Sequence, residues 1–465
     1  MKSIKELNPK PVVRRVCVLC KMQMLSPTLI GSSDSFESDR DISINANGYP
    51  FIPGSTLAGI LRATLAAGEA DLLFGESDKG KTGQSPIWIY DAIIKDAVIE
   101  DATIKAAISE DTIIKSEARQ TAKPARVITI DGVSLDENRR NSKEQKNSEL
   151  DHMNKVAKNG AKFDYQAVDT DSLFELRMML VIREGEYNLE SLLEKVFLQM
   201  NNLYVGGKTS RGFGKLACIE TYSRAFDFGR SDKEAQLDQW LGFKDWNTLV
   251  SDVYKRSVPY ENKNSHLTAE ITIDGSLIVR DIYSVEDDED YAHTFNAEKS
   301  VIYGTSWAGA IRGGLAKLLK SNGFDKKEEY LDSVFGRQYW NGRKYVTEPS
   351  KIRIDASYID GGKRIKYTRN KIDRFTGGSA NTALFTNRPQ FGGKCILSVY
   401  FANSDEAIKE LLLLAIDAIR KGLITLGGET GVGRGVLSVG GVFIDGKEIE
   451  SGGDKPALKE VIVNG

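Results

Sequence analysis

The sequence predicts an α+β fold in two tandem domains, and three observations carry that prediction. A chain of 465 residues exceeds what one hydrophobic core usually serves. Strand-like and helix-like patterns are interspersed, which suggests helices on one face of an antiparallel sheet. One set of glycine-rich motifs occurs twice, in the same order.

In the first copy VVRRVCVLCKMQM (12–24) reads as the opening strand and LAGILRATLAAG (57–68) as a helix entered through a Pro-Gly-Ser-Thr turn. A long, charged insertion follows at 128–168, poor in core residues and strand-like at its ends, so an extended hairpin is expected. The turn GGKTSRGFGK (206–215) then leads into a closing strand. Residues 226–262 are polar with scattered aromatics and read as a helical connector. In the second copy EEYLDSVFG and EAIKELLLLAIDAIRKGL (406–423) are helical, and KIDRFTGGSANTALF (371–385) is the shorter insertion. The expected domains are 1–225 and 263–465, joined by 226–262.

Six segments match between the copies. PGSTLAGILRATL (53–65) answers to YGTSWAGAIRGGL (303–315), DLLFGES (71–77) to DSVFGRQ (332–338), and SPIWIYDAII (85–94) to SKIRIDASYI (350–359). ITIDG (128–132) answers to NKIDR (370–374), NGAKFDYQAV (159–168) to NTALFTNRPQ (381–390), and YVGGKTSRGFGKL (204–216) to TLGGETGVGRGVL (425–437). Offsets of 250 (Gly59 to Gly309), 261 (Gly75 to Gly336) and 221 (Gly206 to Gly427) keep order while spacing drifts. Two copies of one fold with different loops produce that pattern; a short-period solenoid does not.

Composition excludes little. Hydrophobic residues at 41% and charged residues at 28% are ordinary for globular protein. No apolar run reaches the length of a membrane span, and the charged N-terminus lacks the core of a signal peptide, so a cytoplasmic location is expected. A net charge of −2 does not mark a nucleic-acid binder, yet 63 Lys and Arg are available to cluster locally. Cys17 and Cys20 form a lone CxxC whose members face opposite sides of a strand, which argues against zinc. The three histidines, 152, 266 and 293, are too dispersed for a triad.

The candidate chemistry lies in the turns. Ser55 or Thr56 can cap the helix after Pro53-Gly54, and a helix start of this kind seats a phosphate, with Arg62 in reach of a neighbouring one. Thr305, Ser306 and Arg312 repeat the arrangement. Taken singly such a turn is more often a plain cap; its duplication, arginine included, favours binding. The loop 206–215 adds Lys208, Arg211 and Lys215 as phosphate partners and Phe213 as a stacking ring. Its counterpart carries Arg434 alone. Neither loop has the spacing of a dinucleotide or Walker loop. Upstream of each turn sits an acidic loop, with Asp34, Asp39 and Asp41 in the first copy and Asp288, Asp290 and His293 in the second. Carboxylates beside a phosphodiester can hold a divalent metal; a solvated acidic loop is the equal alternative.

With YPFIPGSTLAGILR, LLFGES, IDGVSLD…NGAKFDYQAV, GGKTSRGFGK and KIDRFTGGSANTALF in place, the sequence resembles the RAMP superfamily of CRISPR proteins, specifically the backbone subunits of type III effector complexes. The resemblance covers nearly the whole chain outside the connector. It implies a modified RNA-recognition-motif (ferredoxin-like) core in each half, with thumb hairpins as the insertions. It implies guide (CRISPR) RNA, target RNA and other effector subunits as partners. It also implies cleavage of the paired target by an acid before the PGST-like turn, with a divalent metal such as Mg²⁺. Asp39 is the match for that acid and for the metal, Asp41 the near alternative, and Asp290 the match in the second half. Ala58 and Ala308 stand where the family is often basic, and Tyr303 stands in place of proline. The competing expectations are a non-catalytic scaffold and a guide-processing nuclease; the latter would ordinarily need a histidine base.

Overall fold

The computed structural model describes residues 10–31, 42–75, 77–78, 81–82, 84–94, 97–98, 125–135, 157–186, 188–200, 203–229, 231–249, 264–281, 284–286, 288–296, 299–323, 327–340, 343 and 345–449. Asp34, Asp39, Asp41 and His152 lie outside them. The chain forms two compact units. The first comprises residues 1–128, 166–207 and 214–260, and the second 129–165, 208–213 and 261–465.

The principal elements of the first repeat are β1 (Val12–Met24), α1 (Gly54–Arg62), α2 (Ala67–Phe74), β2 (Ile87–Ile89), β3 (Ala125–Leu135), β4 (Ala157–Val168), β5 (Leu173–Arg183), α3 (Leu189–Leu198) and β6 (Leu216–Asp227). A connector helix, α4 (Lys233–Gly242), follows. The second repeat runs β7 (Asn264–Asp274), β8 (Tyr291–His293), α5 (Gly304–Ser321), α6 (Lys327–Phe335), β9 (Arg353–Ile354), β10 (Tyr367–Ile372), β11 (Ser379–Arg388), β12 (Lys394–Ala402), α7 (Glu406–Arg420) and β13 (Val436–Ile444).

The first sheet has the order β6-β1-β5-β2 and the second β13-β7-β12-β9, antiparallel throughout. In each, the strand after the opening helices lies at one edge and the closing strand flanks the opening strand on the other side, where the short strand Lys447–Glu448 extends the second sheet beyond β13. That is the split β-α-β-β-α-β order of a ferredoxin-like core. The fold is therefore α+β with two tandem domains of this kind. Each insertion falls between the second and third core strands, as β3 and β4 in one repeat and β10 and β11 in the other. β10 and β11 pair as an antiparallel hairpin. Among the described residues no helix is long and apolar enough to cross a membrane.

Strand alternation decides which side chains meet. Val16, Val18, Cys20, Met22 and Met24 of β1 join a core with Leu57 and Leu61 of α1 and Leu193 and Val196 of α3. Cys17 and Leu19 face the other way, into a second cluster with Phe226, Leu249 and the aromatic rings of the connector. The period of two thus separates the CxxC pair, as its spacing requires. Trp240 and Phe243 stack there at 5.4–5.6 Å from Phe226, and the Arg15 guanidinium lies 4.6 Å from the Trp240 ring. Those rings lie at and just beyond the C-terminal end of α4, against β6. In the second unit, Leu267, Ala269, Ile271 and Ile273 of β7 meet Trp307 and Ile311 of α5 and Leu411, Leu412, Ala415 and Ile416 of α7. The helical spacing of those α7 residues makes one apolar stripe, and Asp405 caps the helix by accepting the Ile408 N–H at 3.1 Å.

The two repeats agree at the level of single atoms. Added Cβ atoms at the helix-start glycines would sit 2.4 Å from the Ile89 carbonyl oxygen (Gly54) and 2.0 Å from that of Ile354 (Gly304). Gly214 and Gly435 have φ of +74° and +77°, and a Cβ on either would sit 1.9 Å from a carbonyl oxygen, of Val205 and Leu426 respectively. Only glycine fits at these points. The Gly214 and Gly435 amides donate to the carbonyls of Pro27 and Ser276, 2.9 and 2.8 Å away. The sequence repeat is a repeat of backbone geometry.

Candidate nucleic-acid interface

Both opening helices begin earlier than a hydroxyl cap would place them. α1 starts at Gly54 with Pro53 as its N-cap, and α5 starts at Gly304 behind Tyr303; neither has a side-chain cap. The expected capping by Ser55 or Thr56 is thereby corrected. Close passage over the Ile89 and Ile354 carbonyls fixes the glycine as the first helical residue, which leaves Ser55, Thr56, Thr305 and Ser306 inside the first turn. An internal carboxylate meets the first amide of α1, for Gly54 N–H donates to Asp91 at 2.6 Å. Beside this start is a cavity of about 310 Å³ lined by Gly54, Ser55, Ala58, Gly59, Arg62 and Phe74, among others.

The two matched arginines are clamps. Arg62 pairs with Asp71 and donates to the Gly75 carbonyl at 2.8 Å. Arg312 pairs with Asp332 at 2.6 Å. Each ties its helix to the next, α1 to α2 and α5 to α6.

Residues 208–213 of the first glycine loop belong to the second unit. Lys208 adopts a left-handed backbone with φ of +57°, and its Nζ lies 3.5 Å from the centre of the Tyr165 ring. Arg211 is half-buried and donates to the Phe335 carbonyl at 3.2 Å. Burial, then the nearby Arg312 charge, lowers its pKa. Phe213 is 1% exposed, held between Tyr165 at 5.8 Å and Tyr303 at 5.6 Å, so its ring offers no open face to a base. In the first unit the Lys215 amide donates to Ser26 Oγ at 2.9 Å.

The second loop is more basic than its sequence suggests. Glu429 occupies the left-handed position that Lys208 holds in the first, again at φ of +57°. Its side chain is 8% exposed and accepts from Tyr291 Oη at 2.5 Å and Asn387 Nδ2 at 3.3 Å. Three guanidiniums surround it, Arg369 at 2.7 Å, Arg434 at 2.8 Å and Arg280 at 3.6 Å. Burial raises the carboxyl pKa, but the Tyr291 hydroxyl and the arginines outweigh it, and the net shift is downward. One carboxylate among three arginines leaves an excess of two positive charges. Sequence reasoning found Arg434 and missed Arg280 and Arg369. They converge because the short strand Arg280–Asp281 pairs with β8, and β8 and β10 both pair with β11 at Asn387, opposite Tyr291 and Tyr367; no short spacing announces that.

Asp290 stands at the root of the β10–β11 hairpin. Its amide donates to the Thr386 carbonyl at 2.8 Å, and its exposed carboxylate accepts the Thr386 N–H at 3.0 Å. Its neighbours have basic partners. Asp288 pairs with Lys366, which lowers its pKa, and the buried Glu289 accepts from Arg388 Nε at 2.7 Å. Among the described residues, no three His, Cys, Asp or Glu side chains gather as a metal-ligand set. Asp288 and Glu289 are engaged by cations and are not directed at a shared ion position. At the hairpin tip Asp373 accepts the amides of Phe375 and Thr376 at 3.0 and 2.8 Å, fixing a turn on which Phe375 is 99% exposed.

His293 is fully buried. Its Nδ1 accepts the Val279 N–H at 3.0 Å, and burial, then the Arg364 charge, lowers the imidazole pKa to about 3. It is neutral at pH 7 and no candidate for a solvent-facing base. Because the unfolded imidazole binds a proton near 6.5, stability falls as pH drops from about 6.5 towards 3, by up to about 1.4 kcal/mol per pH unit. His293→Asn keeps an acceptor for the Val279 amide and should flatten that slope in urea titrations run at several pH values.

Compared with known proteins, the chain has no sequence match among curated ones. The family model described as the RAMP superfamily matches it over residues 21–217 and 293–438, once in each repeat.

Proposed function

Because the chain belongs to the RAMP superfamily of CRISPR-associated RNA-binding proteins, we propose that it is a guide-RNA-binding backbone subunit of a type III effector complex, with two backbone modules fused in one chain. The observation that carries this reading is the duplicated glycine architecture, with a cluster of excess positive charge beside the loop of the second copy. Phosphate contacts release counterions, so affinity for single-stranded RNA falls as salt rises. Arg280→Ala and Arg369→Ala should each lower the slope of log affinity against log salt by about 0.7. Filter binding of a repeat-derived RNA across a salt series measures this, and unchanged slopes would exclude the cluster as an RNA contact.

Cleavage of the guide-paired target is proposed for the first half, at Asp39 with Asp41 beside it. A divalent ion such as Mg²⁺, when bound there, would supply Lewis-acid activation of the attacking oxygen. A specific observation favours the scaffold reading for the second half: Asp288 and Glu289 are neutralised by Lys366 and Arg388, and the Asp290 carboxylate accepts the Thr386 amide. The assembled complex with matching target RNA, assayed with Mg²⁺ and with a chelator, separates cleavage from scaffolding.

A further inference from the structure

The four cysteines are free thiols, and they do not stand in like surroundings. Cys17 and Cys395 are buried, and burial raises their pKa to about 11 and about 12. Cys20 and Cys218 sit on neighbouring strands, β1 and β6. Cys20 lies opposite Thr221, Lys21 opposite Glu220, and then Met22 opposite Cys218, so Ile219 is an extra residue in β6. That bulge returns Cys218 to the face that Cys20 occupies. Thr221 Oγ1 lies 3.4 Å from Cys218 Sγ and 3.9 Å from Cys20 Sγ, so one hydroxyl reaches both sulfurs. Cys20 is wholly buried in the core, whereas Cys218 is half-exposed on the edge strand of its sheet.

We infer that Cys20 and Cys218 are a peroxide-reactive dithiol, Cys218 the attacking sulfur and Cys20 the resolving one. The neighbouring Cys20 thiol is the leading cause that lowers the Cys218 pKa, with Thr221 adding to it, and the thiolate is the nucleophile. Cys218 sulfur attacks one oxygen of hydrogen peroxide, the O–O bond breaks, and hydroxide leaves and takes up a proton as water. The resulting sulfenic acid is attacked by Cys20 sulfur, whose proton departs with the hydroxyl as a second water. Two thiols lose two electrons, peroxide gains them, and a disulfide joins β1 to β6. The staple lies three residues beyond Lys215, at the root of the first glycine loop. Cys17, on the opposite face of the same strand, serves as an internal control.

The test is thiol mapping on the intact, folded chain. Hydrogen peroxide is titrated at neutral pH, remaining thiols are alkylated after unfolding, and the digested peptides are weighed. The expected product is a Cys20–Cys218 cross-linked peptide, formed at least about tenfold faster than any oxidation of Cys17 or Cys395. In Cys20→Ser the sulfenic acid persists at Cys218 and is trapped by dimedone. Oxidation of Cys218 no faster than of Cys17, or its passage to sulfinic acid without a cross-link in the unaltered chain, would overturn the inference. The unaltered chain decides the matter even where the core substitution fails to fold.

Discussion

Glu429→Ala is expected to destabilise the second unit by about 3 kcal/mol, since removing one partner of a buried ion pair leaves the other uncompensated. Arg434, 7% exposed, loses its ion-pair partner, and Arg280 and Arg369 add like charge beside it. The Tyr291 hydroxyl and the Asn387 amide lose an acceptor at the same stroke. Glu429→Gln retains an acceptor and drops the charge, so it should fall between the two. Binding should move the other way. With the carboxylate gone the cluster gains one net positive charge, and RNA affinity measured well below the melting temperature should depend more steeply on salt. Urea denaturation and a salt series on the same variant read the two effects separately. A variant of unchanged stability would mean that water, not Glu429, balances these guanidiniums.

The second large effect follows from the proposed cleavage. Asp39→Ala should reduce one cut in a guide-paired target by about 10²–10⁴-fold, the several kcal/mol that Lewis-acid stabilisation by a held metal is worth, while guide binding and assembly persist. Asp41→Ala measures the near alternative. Asp290→Asn keeps an acceptor for the Thr386 amide and removes only charge, so a lost second cut would be chemical and not structural. The readout is a map of target cleavage positions for each variant. If all three variants leave every cut intact, the chain is a scaffold and another subunit cuts.

Much of the architecture was legible because backbone constraints leave marks in sequence. Glycines are obligatory where a Cβ would meet a carbonyl oxygen, and positions of that kind, Gly54 with Gly304 and Gly214 with Gly435, are among those that repeat. Alternation along β1 and β7 and the stripe of α7 were equally readable. The site was less so. Repetition of Arg62 as Arg312 pointed to function, but a structural clamp duplicates as faithfully as a binding residue. Asp71 and Asp332, the first letters of a matched segment, carried the signal that the arginines have partners. Phe213 reads as a stacking ring only while its neighbours are unknown; burial against Tyr165 and Tyr303 is a tertiary fact. Arg280 and Arg369 reach Glu429 through strand pairing between residues far apart in sequence, which no local pattern encodes.

The left-handed position at the entry to each glycine loop shows how far the copies have drifted. One holds a lysine over the ring of Tyr165, the other a glutamate that meets the amide of Asn387, and Tyr165 and Asn387 are themselves matched residues. A lysine at 429 would face three arginines, and a glutamate at 208 would face the electron-rich side of a ring. Neither exchange can be made singly. The two loops therefore share a backbone but not a charge environment, and a side chain suited to one is repelled in the other.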